Sequence, residues 1–208
     1  MEPESEQRIP PVVFGIIVAN VAVFGLAGLS PVLDRWLQSA MLWPLDGPFA
    51  PWQLLTYGFL HGGVGHLLVN MFMVWMFGAT IERTLQSGPF LAYYLVCVVG
   101  AALLHLVVGA WTGSIYPTVG ASGGVFGILL AFGLLYPNHM VVLLIPPIPM
   151  KAKWLVIALG AFTLWAGVSG RMAGIAHFAH LGGMLFGLVL LQYWRGRLPI
   201  KPRRQLML

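Results

Sequence analysis

The sequence predicts an all-α, polytopic membrane protein with six membrane-crossing helices, and three observations predict it. Hydrophobic residues make up 59% of the 208 residues and charged residues 8%, against about 45–50% and about 25% in soluble domains. So few charges cannot clothe a surface facing water, so lipid must cover most of the chain. The apolar residues also gather in six runs near the ~20 residues a helix needs to cross a bilayer. Finally, polar or proline-rich breaks separate the runs. The length suits one compact domain, here a single membrane domain over 1–208.

The first run is Val12–Leu29. The segment before it holds Glu2, Glu4 and Glu6, whereas a secretory signal begins with positive charge, so the run is expected to be a retained helix. A long first loop, 30–58, follows, with Trp36, Trp43 and Trp52 suited to the membrane–water boundary. The second run is Phe59–Ile81, the third Phe90–Trp111 and the fourth Val119–Tyr136. Val141–Ile145 is too short to cross and runs into Pro146, Pro147 and Pro149, which predicts an interfacial loop. The fifth run is Trp154–Ser169 and the sixth Gly174–Trp194.

Six crossings put both termini on one side. That side carries Arg8, Arg83, Lys151, Lys153, Arg195, Arg197, Lys201, Arg203 and Arg204, and the other only Arg35 and Arg171, which accounts for all 11 cations. The excess of Lys and Arg marks the cytoplasmic side. The expected layout is a cytoplasmic N-terminus at 1–11, a six-helix core at 12–194 and a basic cytoplasmic tail at 195–208. The net charge of +5 leaves no aromatic-interleaved basic surface for nucleic acid. The single Cys97 excludes an internal disulfide and a multi-cysteine metal site, and it most simply packs within its apolar run. Neither a metal nor a cofactor is expected.

Polar side chains inside a membrane are costly and point to function. The second run carries His61, His66 and Asn70, the fourth carries Ser122, and the sixth carries His177 and His180. All three runs enter from the outer side, and at 1.5 Å per residue Ser122, His66 and His180 share the outer half of the bilayer. His66 and Asn70, four apart, share a helix face, as do His180, Gly183 and Gly187. Gly183 and Gly187 form a small-residue ridge, and Gly120, Gly123, Gly124 and Gly127 surround Ser122. Such ridges let helix backbones approach closely.

A serine hydroxyl becomes a useful nucleophile when a base takes its proton, and a neutral His180 imidazole can be that base. Amides at a helix start lack intrahelical partners and can hold the negative oxygen of a tetrahedral intermediate. His66 and Asn70 can add donors to it. The acids are Glu2, Glu4, Glu6, Asp34, Asp46 and Glu82. None is expected near His180, which favours a Ser–His dyad over a triad. Taken singly, a serine among glycines is more often a packing residue and the glycine ridges imply only close packing. His105, His139 and His177 read as structural or interfacial. It is the shared depth that makes a site.

These residues resemble the rhomboid family of intramembrane serine proteases. Gly120-Ala121-Ser122-Gly123, extended as GASGGVFG, fits the family's G-x-S-G nucleophile motif. Ala179-His180-Leu181-Gly182-Gly183 fits the block of its catalytic histidine. His61-x4-His66-x3-Asn70 resembles the second-helix pattern, and Glu82 the acidic position at the cytoplasmic end of that helix. The resemblance covers nearly the whole chain and implies a six-transmembrane-helix rhomboid-like bundle, without the seventh helix of some members. It implies Ser122 as nucleophile and His180 as general base, with His66, Asn70 and the Ser122 amide as oxyanion donors. His61, Gly120, Gly123, Gly183 and Glu82 would support them, and His177 is set aside. Two positions depart from the pattern. Trp52 is followed by Gln53 where many members carry Trp-Arg, and Phe126 stands where some have tyrosine.

The expected activity is hydrolysis of peptide bonds in or near the transmembrane segments of other membrane proteins. The expected location is multi-pass in the bacterial inner membrane, with the lipid bilayer and transmembrane substrates as partners. Substrates with helix-weakening Gly or Pro near the outer face suit the shallow, glycine-crowded site. The fifth run, with Trp154, Phe162 and Trp165 and no polar catalytic group, is the candidate lateral gate. A non-catalytic rhomboid-like protein that binds membrane clients is the alternative. Such a protein would normally have lost Ser122 or His180, and both are present. A haem-binding bundle predicts a Soret band, and a transporter would need intramembrane acids that the runs lack.

Overall fold

Proline opens and glycine closes several of the predicted runs. The computed structural model describes residues 8–27, 29–113, 116–142, 147–170 and 176–202. Glu2, Glu4, Glu6, Arg171, Gly174, Arg203 and Arg204 lie outside the described residues. Helix α1, Pro11–Leu26, has proline at its first position, where the missing N–H costs nothing. Helix α2, Pro31–Ser39, also opens on proline, and its Ser30 cap accepts from the Leu33 amide at 3.2 Å. A single turn, α3, spans Gln53–Thr56. Then come α4, Val64–Leu85, α5, Ser87–Thr112, and α6, Ser122–Leu135. Strands β1, Met140–Val142, and β2, Pro149–Lys151, pair antiparallel. Helices α7, Ala152–Ser169, and α8, His177–Trp194, follow. Gly113 (φ 71°) and Gly170 (φ 65°) end α5 and α7 in the left-handed conformation that glycine tolerates best.

The six runs overlap helices α1, α4, α5, α6, α7 and α8. Of these, α4, α5 and α7 are long and apolar enough to cross a membrane, whereas α1 and α6 are shorter apolar helices. Helix α6 is buried along most of its length, and α8 packs chiefly on α5 and α6, so these two form the centre of the bundle.

Three expectations change. The second run does not start its helix at Phe59. Tyr57–Phe59 form a 3₁₀ turn, Leu60 is extended, and α4 begins only after Gly62 and Gly63, because paired glycines favour a break over a helix. His61 therefore lies in the loop ahead of α4, not on it. The stretch expected as an interfacial loop is partly a hairpin, with Met140 opposite Lys151 and Val142 opposite Pro149; residues 143–146 lie outside the described residues. The first loop is partly helical through α2 and α3. Its Trp36 and Trp52 are exposed.

A chain of contacts defines the cation-rich end. Glu82, near the end of α4, accepts from the α1 amides of Val12 (3.0 Å) and Val13 (2.7 Å) and from the Ser87 hydroxyl that opens α5 (2.7 Å). The Thr84 and Tyr136 hydroxyls are 2.6 Å apart, and the Lys153 amide donates to the Pro137 carbonyl at 3.2 Å. Glycines seam the opposite half. A side chain at Gly183 would collide with the Gly123 carbonyl, and one at Gly182 would come 2.7 Å from the Gly100 carbonyl. The expected Gly183–Gly187 ridge therefore serves two neighbours, Gly183 against α6 and Gly187 against Tyr93 and Cys97 of α5. Cys97 is fully buried.

Candidate active site

The segment before Ser122 is held in an extended shape by its neighbours. Thr118 and Leu42 exchange backbone hydrogen bonds of 2.9 and 3.0 Å, and the Gly120 amide donates to the Tyr57 carbonyl at 3.0 Å. The Thr118 hydroxyl lies 2.8 Å from His105 Nε2, and the Tyr57 hydroxyl donates to the Val98 carbonyl at 2.8 Å. Gly120 has φ +131°, a conformation that side-chain-bearing residues rarely adopt. Helix α6 starts at Ser122, and the first amide to bond back is Val125, to the Ala121 carbonyl at 3.0 Å. The amides at the serine thus have no partner on their own helix.

His180 lies in the first turn of α8, its amide 3.2 Å from the Ala176 carbonyl. Its Nε2 is 2.9 Å from Ser122 Oγ. Phe126, one turn into α6, stacks on the imidazole at 4.2 Å between centroids and 4° between planes. The ring keeps the packing surface a tyrosine would give, without its hydroxyl. His177 is buried, edge-on to His180 at 6.3 Å, and its Cβ is close to Gly167 of α7, so it packs between α7 and α8.

His66 stands across the serine. A Cβ on Gly120 would lie 2.8 Å from His66 Cε1, 2.9 Å from its Nε2 and 3.7 Å from Ser122 Oγ. The Gly62 amide approaches His66 Nδ1 at 3.4 Å, which favours the neutral tautomer with the proton on Nε2. His61 meets His66 edge-on at 5.0 Å and so braces the ring from the loop. Asn70, one turn on, is 4% exposed and donates from Nδ2 to the His66 carbonyl at 2.8 Å. A cavity of about 690 Å³ has Ser122, His180, His66 and Asn70 on its wall, with Met73, Val125, Leu129 and Leu159 among its apolar lining. The structure therefore brings Ser122, His180, His66 and Asn70 to one cavity, with Gly120 packed against His66 and Ser122. Gly123 and Gly183 form the seam behind it, and Glu82 lies at the far end of α4.

Sequence reasoning missed the support of this site. Thr118, Tyr57 and Leu42 fix the serine segment through contacts without periodicity or motif, while His105, expected to be structural or interfacial, steadies Thr118. Gln53, 1% exposed, holds the first loop. Its Oε1 accepts from the Trp43 amide at 3.1 Å and its Nε2 donates to the Ser39 and Pro48 carbonyls at 3.0 and 3.1 Å. A neutral amide thereby anchors the loop where many members have arginine. A polar residue next to an interfacial tryptophan was the one available signal.

Fold and cavity together define a helical membrane protein with a helix-start serine against an imidazole. The family pattern described as Rhomboid domain matches residues 48–196, and the chain belongs to the rhomboid family. It is 33% identical to "Rhomboid protein 1, mitochondrial" of Saccharomyces cerevisiae over 181 residues, 85% of this chain and 51% of that protein. It is 34% identical to "Presenilin-associated rhomboid-like protein A, mitochondrial" of Danio rerio over 194 residues, 90% of this chain and 50% of that protein. With "Rhomboid protease GlpG" of Salmonella choleraesuis it shares 28% identity over 190 residues, 88% of this chain and 63% of that protein. The chain spans about half the length of the mitochondrial relatives it matches. The family thus includes a protease. With mitochondrial relatives this similar, the expected bacterial inner membrane is not supported, and the coarser location, an integral membrane protein, stands.

Proposed function

We propose that the protein is a serine-type intramembrane endopeptidase. Its six long helices each cross the membrane, and its cation-rich end, with both termini, faces the inner side. The observation that carries the reading is the 2.9 Å approach of Ser122 Oγ to His180 Nε2 within a cavity walled by further donors. Ser122 attacks the scissile carbonyl as His180 takes its proton. The negative oxygen is received by the Ser122 amide, His66 Nε2–H and Asn70 Nδ2–H. His180 returns the proton to the leaving amine, and water then releases the acyl group from Ser122 by the same path in reverse. Phe126 holds the imidazole plane during both transfers.

The substrate is another membrane protein whose helix unwinds near the outer face, because a helical carbonyl is shielded by its own turn. Helix-weakening Gly or Pro near the cut lowers that cost, so successive Leu replacements there should slow cleavage. Entry between α4 and α7 suits the packing, since α7 buries a smaller share of its residues than α4 or α5. The deciding experiment is covalent labelling with a fluorophosphonate probe, alongside cleavage of a reconstituted single-span substrate. Wild type should label and cleave, and Ser122→Ala and His180→Ala should do neither. Equal labelling of all three proteins removes the assignment.

A further inference from the structure

The His180 imidazole is oriented by packing more than by hydrogen bonds. Its Nε2 faces Ser122 Oγ at 2.9 Å, and among the described residues no acceptor holds its Nδ1. Two rings fix its plane instead. Phe126 of α6 covers it face to face, and His177, one turn earlier on α8, meets it edge-on at 87° and 6.3 Å. His177 is 6% exposed and its Nε2 is buried without a hydrogen-bond partner, so it supplies a ring to this contact and not a polar bond. His177 also stands where α7 meets α8. These helices run antiparallel, with a glycine of α7 at two points of close approach. A Cβ on Gly160 would lie 3.3 Å from Met184 Cε, and one on Gly167 would lie 3.3 Å from His177 Cβ and 3.1 Å from Phe178 Cζ. Gly160 and Gly167, seven apart, share one face of α7, and His180 falls between the two levels on α8. Leu159 of the same helix reaches the cavity wall.

We propose that His177 is a positioning residue that ties the orientation of His180 to the place of α7. The inference rests on the Ser122–His180 reading and on entry between α4 and α7. With α7 packed at Gly167, the His177 ring has no room to swing away, and the imidazole keeps the plane that Phe126 sets. When α7 shifts to admit a helix, His177 is released and the imidazole loses one of its two supports. Proton transfer then waits until α7 returns against α8 behind the substrate. Ser122 is thereby left without an oriented base while the cavity stands open, and gains one once the substrate is enclosed.

The test uses the full chain reconstituted in liposomes. The readouts are cleavage of a single-span substrate and the rate of fluorophosphonate labelling, each divided by the folded fraction. His177→Ala should lower kcat about 10-fold through a loosened base, leave KM unchanged and slow labelling by the same factor. His177→Phe, which restores a ring, should recover most of both rates. Gly167→Val wedges the contact between α7 and α8 and should slow both rates several-fold. That cost should persist on a Phe178→Ala background and largely vanish on a His177→Ala background, where the link is already cut. Should His177→Ala not fold, His177→Asn, which lacks the ring, takes its place with the same expected outcomes. Unchanged rates in the ring-less variant, or an equal cost of Gly167→Val with and without the ring, overturn the proposal. A wild type that neither labels nor cleaves defeats the Ser122–His180 reading itself, whereas a wild type that does both beside an unaffected His177→Ala defeats only the coupling.

Discussion

Gly120→Ala separates backbone strain from steric pressure at the candidate site. The new methyl would stand 2.8 Å from His66 Cε1 and 2.9 Å from Nε2, whereas ordinary contact starts near 3.4 Å. The imidazole must retreat by about 0.6 Å, or the serine segment must move by as much. That segment is pinned to Tyr57 and Leu42, so the ring is the part that yields. A misplacement near 1 Å costs about 10²-fold in rate, and a lost oxyanion donor about 10²–10³-fold. Cleavage of a single-span substrate should therefore fall roughly 10- to 10²-fold. The φ of +131° adds about 1–3 kcal/mol of instability from backbone strain. Cleavage and unfolding of Gly120→Ala, measured with and without His66→Ala, form a double-mutant cycle. Without the imidazole the methyl has nothing to displace, so the rate loss should largely vanish while the stability loss persists. An equal rate loss on both backgrounds would refute the steric account.

Glu82→Gln replaces one acceptor oxygen with an NH₂ that faces an amide N–H, either that of Val12 or that of Val13. Unfolding in mild detergent should show a loss of about 2–3 kcal/mol, with fluorophosphonate labelling of the folded fraction unchanged because the carboxylate lies at the other end of α4. Phe126→Ala removes the ring stacked on His180 and should slow cleavage about 10-fold through a loosened imidazole. Phe126→Tyr should retain the rate. Gln53→Ala leaves the Trp43 amide and the Pro48 carbonyl without their side-chain partner and the Ser39 carbonyl with only the 3.4 Å bond from Trp52 Nε1. It should cost about 1–3 kcal/mol and expose the first loop to limited proteolysis before the bundle.

Composition alone dictated the solvent, because a chain with 8% charged residues has no means of covering itself against water. Run lengths located α1, α4, α5, α6, α7 and α8 to within a few residues. They erred at Phe59–Gly63, where an apolar run reads as helix but the glycine pair breaks it and leaves His61 in the loop. Helical spacing placed His66 with Asn70, and Gly183 with His180, because those pairs lie within two turns of one helix. What spacing leaves open is how far one helix is rotated and shifted against another. The Ser122–His180 approach spans 58 positions and depends on the closeness that Gly123 and Gly183 permit. Glu82 caps a helix 70 residues away, and Gln53, Thr118 and Tyr57 act through loop backbone that carries no repeat. Such contacts arise only when side-chain volumes and backbone hydrogen bonds are satisfied together in three dimensions. The residues of the candidate site could therefore be read along the chain, whereas the distances between them, and everything that holds them there, were decided by packing.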